Sequence, residues 1–233
     1  LNEVVGQDRI LAADGQLTLM VKSGQLASII FWGPPGVGKT TIARAIANEV
    51  SAHYEEISAI FSGVSDLKKL LNAASVRYSN GTRTILFVDE IHRFNKSQQD
   101  SFLPYMENGS IILMGATTEN PSFELNSALL SRSQVLILER LNAEDLLKIF
   151  NRAIGSMKNA PMFSENAISF IIEMSDGDGR SLLNYIEQVA SWNSNNRVTE
   201  QDLETRLSRR VTNYDKKGDH HYNLISALHK SVR

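Results

Sequence analysis

Between residues 28 and 138 the chain alternates short apolar runs with longer stretches of helical period. The apolar runs are Ser28–Trp32, Tyr54–Ser58, Thr84–Val88, Ser110–Gly115 and Gln134–Leu138. Between them, Ile42/Ile46/Val50, then Leu67/Leu70/Leu71/Ala74, then Phe102/Leu103/Met106 recur at the three- and four-residue spacing of one helix face. Apolar strands separated by helices predict a parallel sheet covered on both sides. After Leu138 the strand signals stop. Helix starts are then marked by Asn142 with Asp145, by Ser164, and by Thr199 with Asp202. The expected apolar faces are Leu146/Ile149/Phe150/Ala153, Ile168/Ile171/Ile172 and Leu182/Leu183/Ile186/Val189.

This pattern predicts an α/β domain over residues 1–139 and a small all-helical domain over 140–212. Residues 213–233 read as a linker, polar from Asn213 to His221, leading into the start of a third domain. The amphipathic run Leu224, Ile225, Leu228, Val232 reaches the last residues without a capping signal. The expectation is a fragment whose next domain lies beyond Arg233.

Composition narrows the class. With 24 Lys+Arg against 26 Asp+Glu the formal charge is −2, and the hydrophobic share is 42%. That share is ordinary for a globular protein and excludes disorder as a global description. Apolar stretches such as Ile29–Trp32 fall far short of the ~18 residues of a membrane span. The absence of cysteine excludes disulfides and thiolate metal sites and fits a reducing compartment. A near-neutral chain lacks the global basic signature of a nucleic-acid binder.

Two motifs carry chemistry. Gly33-Pro34-Pro35-Gly36-Val37-Gly38-Lys39-Thr40 matches the phosphate-loop pattern G-x-x-x-x-G-K-[ST], with a strand running in and a helix running out. Its glycines let successive backbone N–H groups turn inward toward phosphate oxygens, and the helix N-terminus adds partial positive charge. Lys39 is expected on the β- and γ-phosphates and the Thr40 hydroxyl on Mg²⁺, with Thr41 following as a further nucleotide contact. The run Thr84–Val88 ends in Asp89-Glu90, at the strand edge where α/β sheets bind ligands. Asp89 would hold Mg²⁺ through water; Glu90 would orient and deprotonate the attacking water. Asp89-Glu90-Ile91-His92 also matches the DExH signature of helicases with two tandem α/β cores. That reading fails on size, because only helices follow Leu138, and it leaves His92 as a loop residue near the site.

The phosphate loop, the Asp-Glu strand and a trailing helical region together resemble the AAA+ ATPases. More closely, Phe31–Gly36, His92-Arg93-Phe94-Asn95-Lys96-Ser97-Gln98-Gln99-Asp100, Gly115-Ala116-Thr117-Thr118-Glu119-Asn120-Pro121-Ser122-Phe123 and Asp219–Leu228 resemble the RarA/MgsA family. These are relatives of the clamp loaders, with Werner helicase-interacting protein as the eukaryotic counterpart. The resemblance implies a five-stranded AAA+ sheet domain, a helical lid and a C-terminal oligomerisation domain. It implies a DNA-dependent ATPase of the bacterial cytoplasm, using ATP and Mg²⁺ in replication-fork maintenance, repair and recombination.

The same resemblance places further residues. Thr117 matches sensor 1, a polar group that positions the attacking water. Arg132, in Ser131-Arg132-Ser133, matches the arginine finger supplied across a subunit interface, although the usual triplet ends in Cys. Arg180, in Gly177-Asp178-Gly179-Arg180, matches sensor 2 and would reach the γ-phosphate. Val4-Val5-Gly6-Gln7 matches the stretch bordering the adenine, with Val5, Gln7 and Ile10 near the base.

DNA as a partner rests on the resemblance alone, since the basic residues come only in pairs: Lys68-Lys69, Arg209-Arg210 and Lys216-Lys217. Single-strand-binding protein, replisome components and further copies of the chain are the other implied partners. Two alternatives stay open: a clamp-loader or branch-migration subunit, and a nucleotide-dependent adaptor that switches without turnover.

Overall fold

In the computed structural model, residues 1, 3–192 and 196–214 are described, with side chains in the last helix as far as Leu207. The chain divides into two units. Of the described residues, the first holds 1, 3–148 and 177–180, and the second holds 149–176, 181–192 and 196–214.

The first unit is a five-stranded parallel sheet: β1 (Ser28–Trp32), β2 (His53–Ser58), β3 (Thr84–Asp89), β4 (Ile111–Thr117) and β5 (Ser133–Ile137), in the order β2-β3-β4-β1-β5. The three inner strands β3, β4 and β1 are buried nearly throughout, which is why they read as continuous apolar runs. The outer strands do not. β2 begins His-Tyr-Glu-Glu and β5 buries only Leu136, because an edge strand faces solvent along one side.

Helices α1 (Asp8–Leu11), α2 (Gln16–Lys22), α3 (Lys39–Glu49) and α4 (Val64–Ser79) flank the first three strands. Ile42 and Ile46 of α3 join Ile29, Phe31, Ile85, Phe87 and Met114 in one apolar layer. Leu67, Leu71 and Ala74 of α4 join Ile30, Leu86, Val88, Leu113 and Phe102 in the other. The odd and even residues of β1 thus feed opposite layers, as the two-residue side-chain period of a strand requires. Short helices α5 (Lys96–Asp100), α6 (Leu103–Glu107), α7 (Pro121–Glu124) and α8 (Ser127–Leu130) complete the connections. Phe102 is fully buried at the start of α6, so the periodicity at 102–106 belongs to a helix with Pro104 in its first turn.

Helices α9 (Ala143–Ser156), α10 (Glu165–Met174), α11 (Gly179–Ala190) and α12 (Glu200–Tyr214) follow. The expected caps form: Asn142 Oδ1 accepts from Asp145 N–H at 2.8 Å, Ser164 Oγ from Ala167 N–H at 3.2 Å, and Thr199 and Asp202 close a reciprocal box. The Thr199 hydroxyl, donating at 2.7 Å, and the Thr199 N–H, at 2.9 Å, hold the Asp202 carboxyl below its usual pKa. In the second unit Phe150 and Phe163 meet edge-to-face at 5.1 Å, and Arg206 lies 4.8 Å over the Trp192 ring. Leu182, Ile186 and Val189 are buried, but Leu183 is 40% exposed. The buried stripe advances by four and three residues, and Leu183 stands one position, about 100°, off it.

Helix α12 runs to Tyr214, two residues into the stretch read as a linker. The side chains of Arg209-Arg210, the pair Lys216-Lys217, the segment Asp219–Leu228 and the apolar run through Val232 lie outside the described residues. Among the described residues no helix is long and apolar enough to cross a membrane.

Candidate functional site

The site forms at the carboxyl edge of the inner strands. β1 ends at Trp32 and β4 at Thr117, and these two residues are in register; β3 ends at Asp89 opposite Ser58 of β2. The chain then leaves β1 through Gly33–Gly38, leaves β3 through Glu90, and leaves β4 through Thr118, so three loops converge on one edge.

The phosphate loop is shaped by its glycines. Gly36 and Gly38 have φ of +68° and +99°, values at which an L side chain is strained. A Cβ on Gly33 would lie 2.4 Å from the Leu138 carbonyl oxygen, so the loop's start is pressed against the chain after β5. Lys39 is buried, its Nζ donating to the carbonyl oxygens of Gly33 at 2.6 Å and Pro34 at 2.7 Å. Burial pulls its pKa below the ordinary lysine value; the charges of Glu90 and Asp89 act the other way, and Arg180 lowers it further. The ammonium is thus held inside its own loop, beside both acids.

Residues 177–180 pack on that loop. Gly179 N–H donates to the Gly36 carbonyl at 3.1 Å, and Asp178 Oδ1 accepts from Arg180 N–H at 2.8 Å. A Cβ on Gly36 would come within 1.7 Å of Asp178 Oδ1. The exposed Arg180 therefore starts its helix beside the phosphate loop, and Asp178, not foreseen as a site residue, forms part of the wall. Gly36→Ala combines a forbidden contact with a φ > 0 cost of about 1–2 kcal/mol. It is expected to weaken nucleotide binding at least ~10-fold by fluorescent-nucleotide titration, as the backbone donors lose their common focus.

At the acid pair, Glu90 has φ 53° and ψ 45°, a left-handed conformation rare outside glycine. The turn carries the chain into a single 3₁₀ turn, Ile91–Arg93, whose His92 side chain is only 6% exposed. His92 Nδ1 shares a 2.8 Å hydrogen bond with Thr117 Oγ1, and His92 Nε2 lies 3.3 Å from Glu90 Oε2. Thr117 Oγ1 also accepts from Glu119 N–H at 3.0 Å. The buried hydroxyl is Thr117, while Thr118 is exposed. His92, read from sequence as a bystander, is a buried link between two expected site residues. The signal was its place three residues after Asp89; the partner, 25 residues further on, carried none.

Two expected groups lie differently. Ile10, expected near the base, is packed in the apolar core and 6% exposed. Val5 is half-buried. Gln7 spends its amide on the backbone: Nε2 donates to the Glu139 and Val37 carbonyls at 2.7 and 3.5 Å, and Oε1 accepts from Glu139 N–H at 3.1 Å. It ties the N-terminal loop to the chain after β5 and to the phosphate loop. Arg132 precedes β5, whose first residue pairs with Ser28 at the start of β1. It therefore stands at the opposite edge of the sheet from the phosphate loop. There it pairs with Glu107 at 2.7 Å and donates to the Ala128 carbonyl at 3.0 Å.

Among known proteins, the family described as ATPase family associated with various cellular activities (AAA) matches residues 29–141, and an AAA C-terminal domain matches residues 157–233. The chain is 46% identical over its whole length to the replication-associated recombination protein A of Escherichia coli K12, covering 54% of that protein. It is 40% identical to ATPase WRNIP1 of Dictyostelium discoideum, covering 100% of this chain and 29% of that one. It thus spans about half the length or less of these relatives. A solved Thermotoga maritima RuvB, described as a Holliday junction branch migration motor, superposes with a TM-score of 0.67 at 28% identity, over 82% of this chain and 64% of that one. A RuvB variant from the same organism reaches a TM-score of 0.70 at 25% identity, over 88% and 69%. With both AAA matches in chain order and nearly half of all positions shared with the bacterial relative, the chain belongs to the AAA ATPases, in the family of the replication-associated recombination proteins A.

Proposed function

We propose that this chain is the motor portion of a DNA-dependent ATPase acting at replication forks, in repair and recombination. The observation that carries the reading is the meeting of Lys39, Asp89, Glu90 and Thr117 at one sheet edge, in a chain 46% identical to a replication-associated recombination protein.

The residues fit a nucleotide with Mg²⁺. The positive φ of Gly36 and Gly38 suits a loop whose N–H groups turn toward phosphate oxygens, and Lys39 would exchange two carbonyls for the β- and γ-phosphates, which favour its charged form. Among the described residues no group of three His, Asp or Glu side chains forms a metal cage. That suits Mg²⁺, which keeps several waters and takes one or two protein ligands beside substrate phosphates; Thr40 and Asp89 are the proposed pair. Bound there, the ion would supply Lewis-acid neutralisation of the charge that develops on the phosphates. Glu90 orients and deprotonates water, Thr117 positions it, and Arg180 approaches the γ-phosphate from the wall beside Gly36. Val5 borders the base, and Gln7 holds that border in place. Arg132 acts on the site of a neighbouring copy, so the working form is a homo-oligomer.

Residues 1–139 form the proposed AAA+ domain, 140–212 the lid and 213–233 the entry to an oligomerisation domain. The RuvB likeness favours one second reading, a branch-migration type of subunit. Phosphate release measured alone and with forked, gapped or four-way DNA separates the two. Stimulation by forks and gaps beyond that by four-way junctions is expected. Preference for four-way junctions would favour the second reading, and binding of ATP without release under every condition would favour the adaptor.

A further inference from the structure

The contacts of His92 go beyond anything the two motifs require. Its imidazole is 6% exposed, with one ring nitrogen 2.8 Å from the hydroxyl of Thr117 and the other 3.3 Å from a carboxylate oxygen of Glu90. Three features of the fold hold it there. Glu90 turns the chain off β3 in a left-handed conformation, and Arg93 N–H closes the turn on the Glu90 carbonyl at 2.8 Å. Ile91 is fully buried beneath it. Gly115, two residues before Thr117, leaves the room that Ile91 needs: a Cβ there would lie 2.8 Å from Ile91 Cδ1. A buried polar ring costs free energy unless its nitrogens find partners, so this arrangement is built around both contacts.

We propose that His92 is a positioning residue for hydrolysis, a rigid spacer that fixes the Glu90 carboxylate relative to the Thr117 hydroxyl. The inference rests on the reading of Glu90 as the base. A water molecule can be attacked by a base and aligned by a second polar group only if both are held to a fraction of an ångström, and misplacement by about 1 Å can cost ~10²-fold in rate. Glu90 is one-quarter exposed and follows a strained turn, so without a contact its carboxylate has rotamers to choose from. Thr117 is fully buried at a strand end, with its hydroxyl also accepting from Glu119 N–H, so its rotamer is set by packing and hydrogen bonding. The imidazole transfers that rigidity to the acid.

Amide side chains separate the two contacts. In His92→Asn the amide reaches the position of Nδ1 and keeps Thr117; in His92→Gln it reaches that of Nε2 and keeps Glu90. His92→Asn and His92→Gln, each keeping only one of the two contacts, are both expected to lower kcat ~10- to 100-fold with ATP affinity within about twofold of the parent. Separately, in chain carrying ¹⁵N-labelled histidine, with the His92 ring identified by its loss in His92→Asn, Thr117→Val is expected to move the Nδ1 resonance and Glu90→Gln the Nε2 resonance. His92→Asn turning over as fast as the parent would overturn the proposal, as would a loss of affinity equal to the loss of kcat, or ring resonances that ignore both substitutions. Should the parent itself release no phosphate, the role of Glu90 falls, and the ring resonances alone decide whether the linkage stands.

Discussion

Glu90→Gln is expected to leave ATP bound and nearly stop its hydrolysis. Glutamine has the same length and shape as glutamate, so it can adopt the left-handed turn at residue 90 at similar cost and still offer an oxygen toward His92 Nε2. What it lacks is a basic oxygen able to accept a proton from water. General-base contributions are worth about 10²–10⁴ in rate, so phosphate release is expected to fall into that range. ATP affinity is expected to change by no more than ~3-fold, because the proposed phosphate contacts are those of Lys39 and the loop backbone. Lys39 would lose one neighbouring negative charge, which alone would pull its pKa further down; the incoming phosphates oppose this. Stopped-flow phosphate release together with equilibrium titration of a fluorescent nucleotide reads both quantities. A Gln variant that hydrolyses at the parent rate would remove Glu90 from the mechanism.

Why part of this site is legible in the sequence follows from chain distance. The phosphate loop and Asp89-Glu90 are each contiguous, and their chemistry is set by residues within eight positions, so pattern alone locates them. The inner strands are legible because both faces are buried and every position is under the same apolar demand. Where strands meet solvent the demand lapses, and β2 and β5 lose the continuous run. The remaining contacts exist only once the strand order is known. His92 meets Thr117 because β3 and β4 are neighbours in parallel register, and Gln7 meets Glu139 across 132 residues of sequence. Asp178 reaches Gly36 because residues 177–180 return to the sheet unit after the chain has left it. None of these pairings has a local signature; each follows from the topology. The left-handed backbone of Glu90 belongs with them, since a glutamate in that conformation is held by the surrounding packing against its own preference.

Topology also decides how Arg132 can act. Arg132 enters β5 beside Ser28, whereas the phosphate loop begins after Trp32, so the length of β1, about 13 Å of strand, separates the arginine from the site of its own chain. On the proposed reading, an arginine in that position would serve a neighbour. Its present partner does not prevent this: Arg132 and Glu107 are 41% and 55% exposed, and ion pairs at that exposure are worth about 0–1 kcal/mol. An arginine presented to a γ-phosphate across an interface gains far more, since such fingers contribute 10³–10⁵ in rate in related enzymes. Arg132→Ala is therefore expected to lower turnover by at least ~10³-fold under conditions where the parent is assembled, with nucleotide affinity unchanged. Mixing supplies the sharper result. Arg132→Ala subunits keep an intact site and lack the finger; Glu90→Gln subunits keep the finger and lack the base. Equimolar mixing of the two nearly inactive variants is expected to restore phosphate release, because each mixed interface of the right polarity pairs a working site with a working finger. A finger acting within its own chain predicts no recovery at any mixing ratio. Recovery that rises with total protein concentration would tie it to assembly, as a bimolecular interface requires.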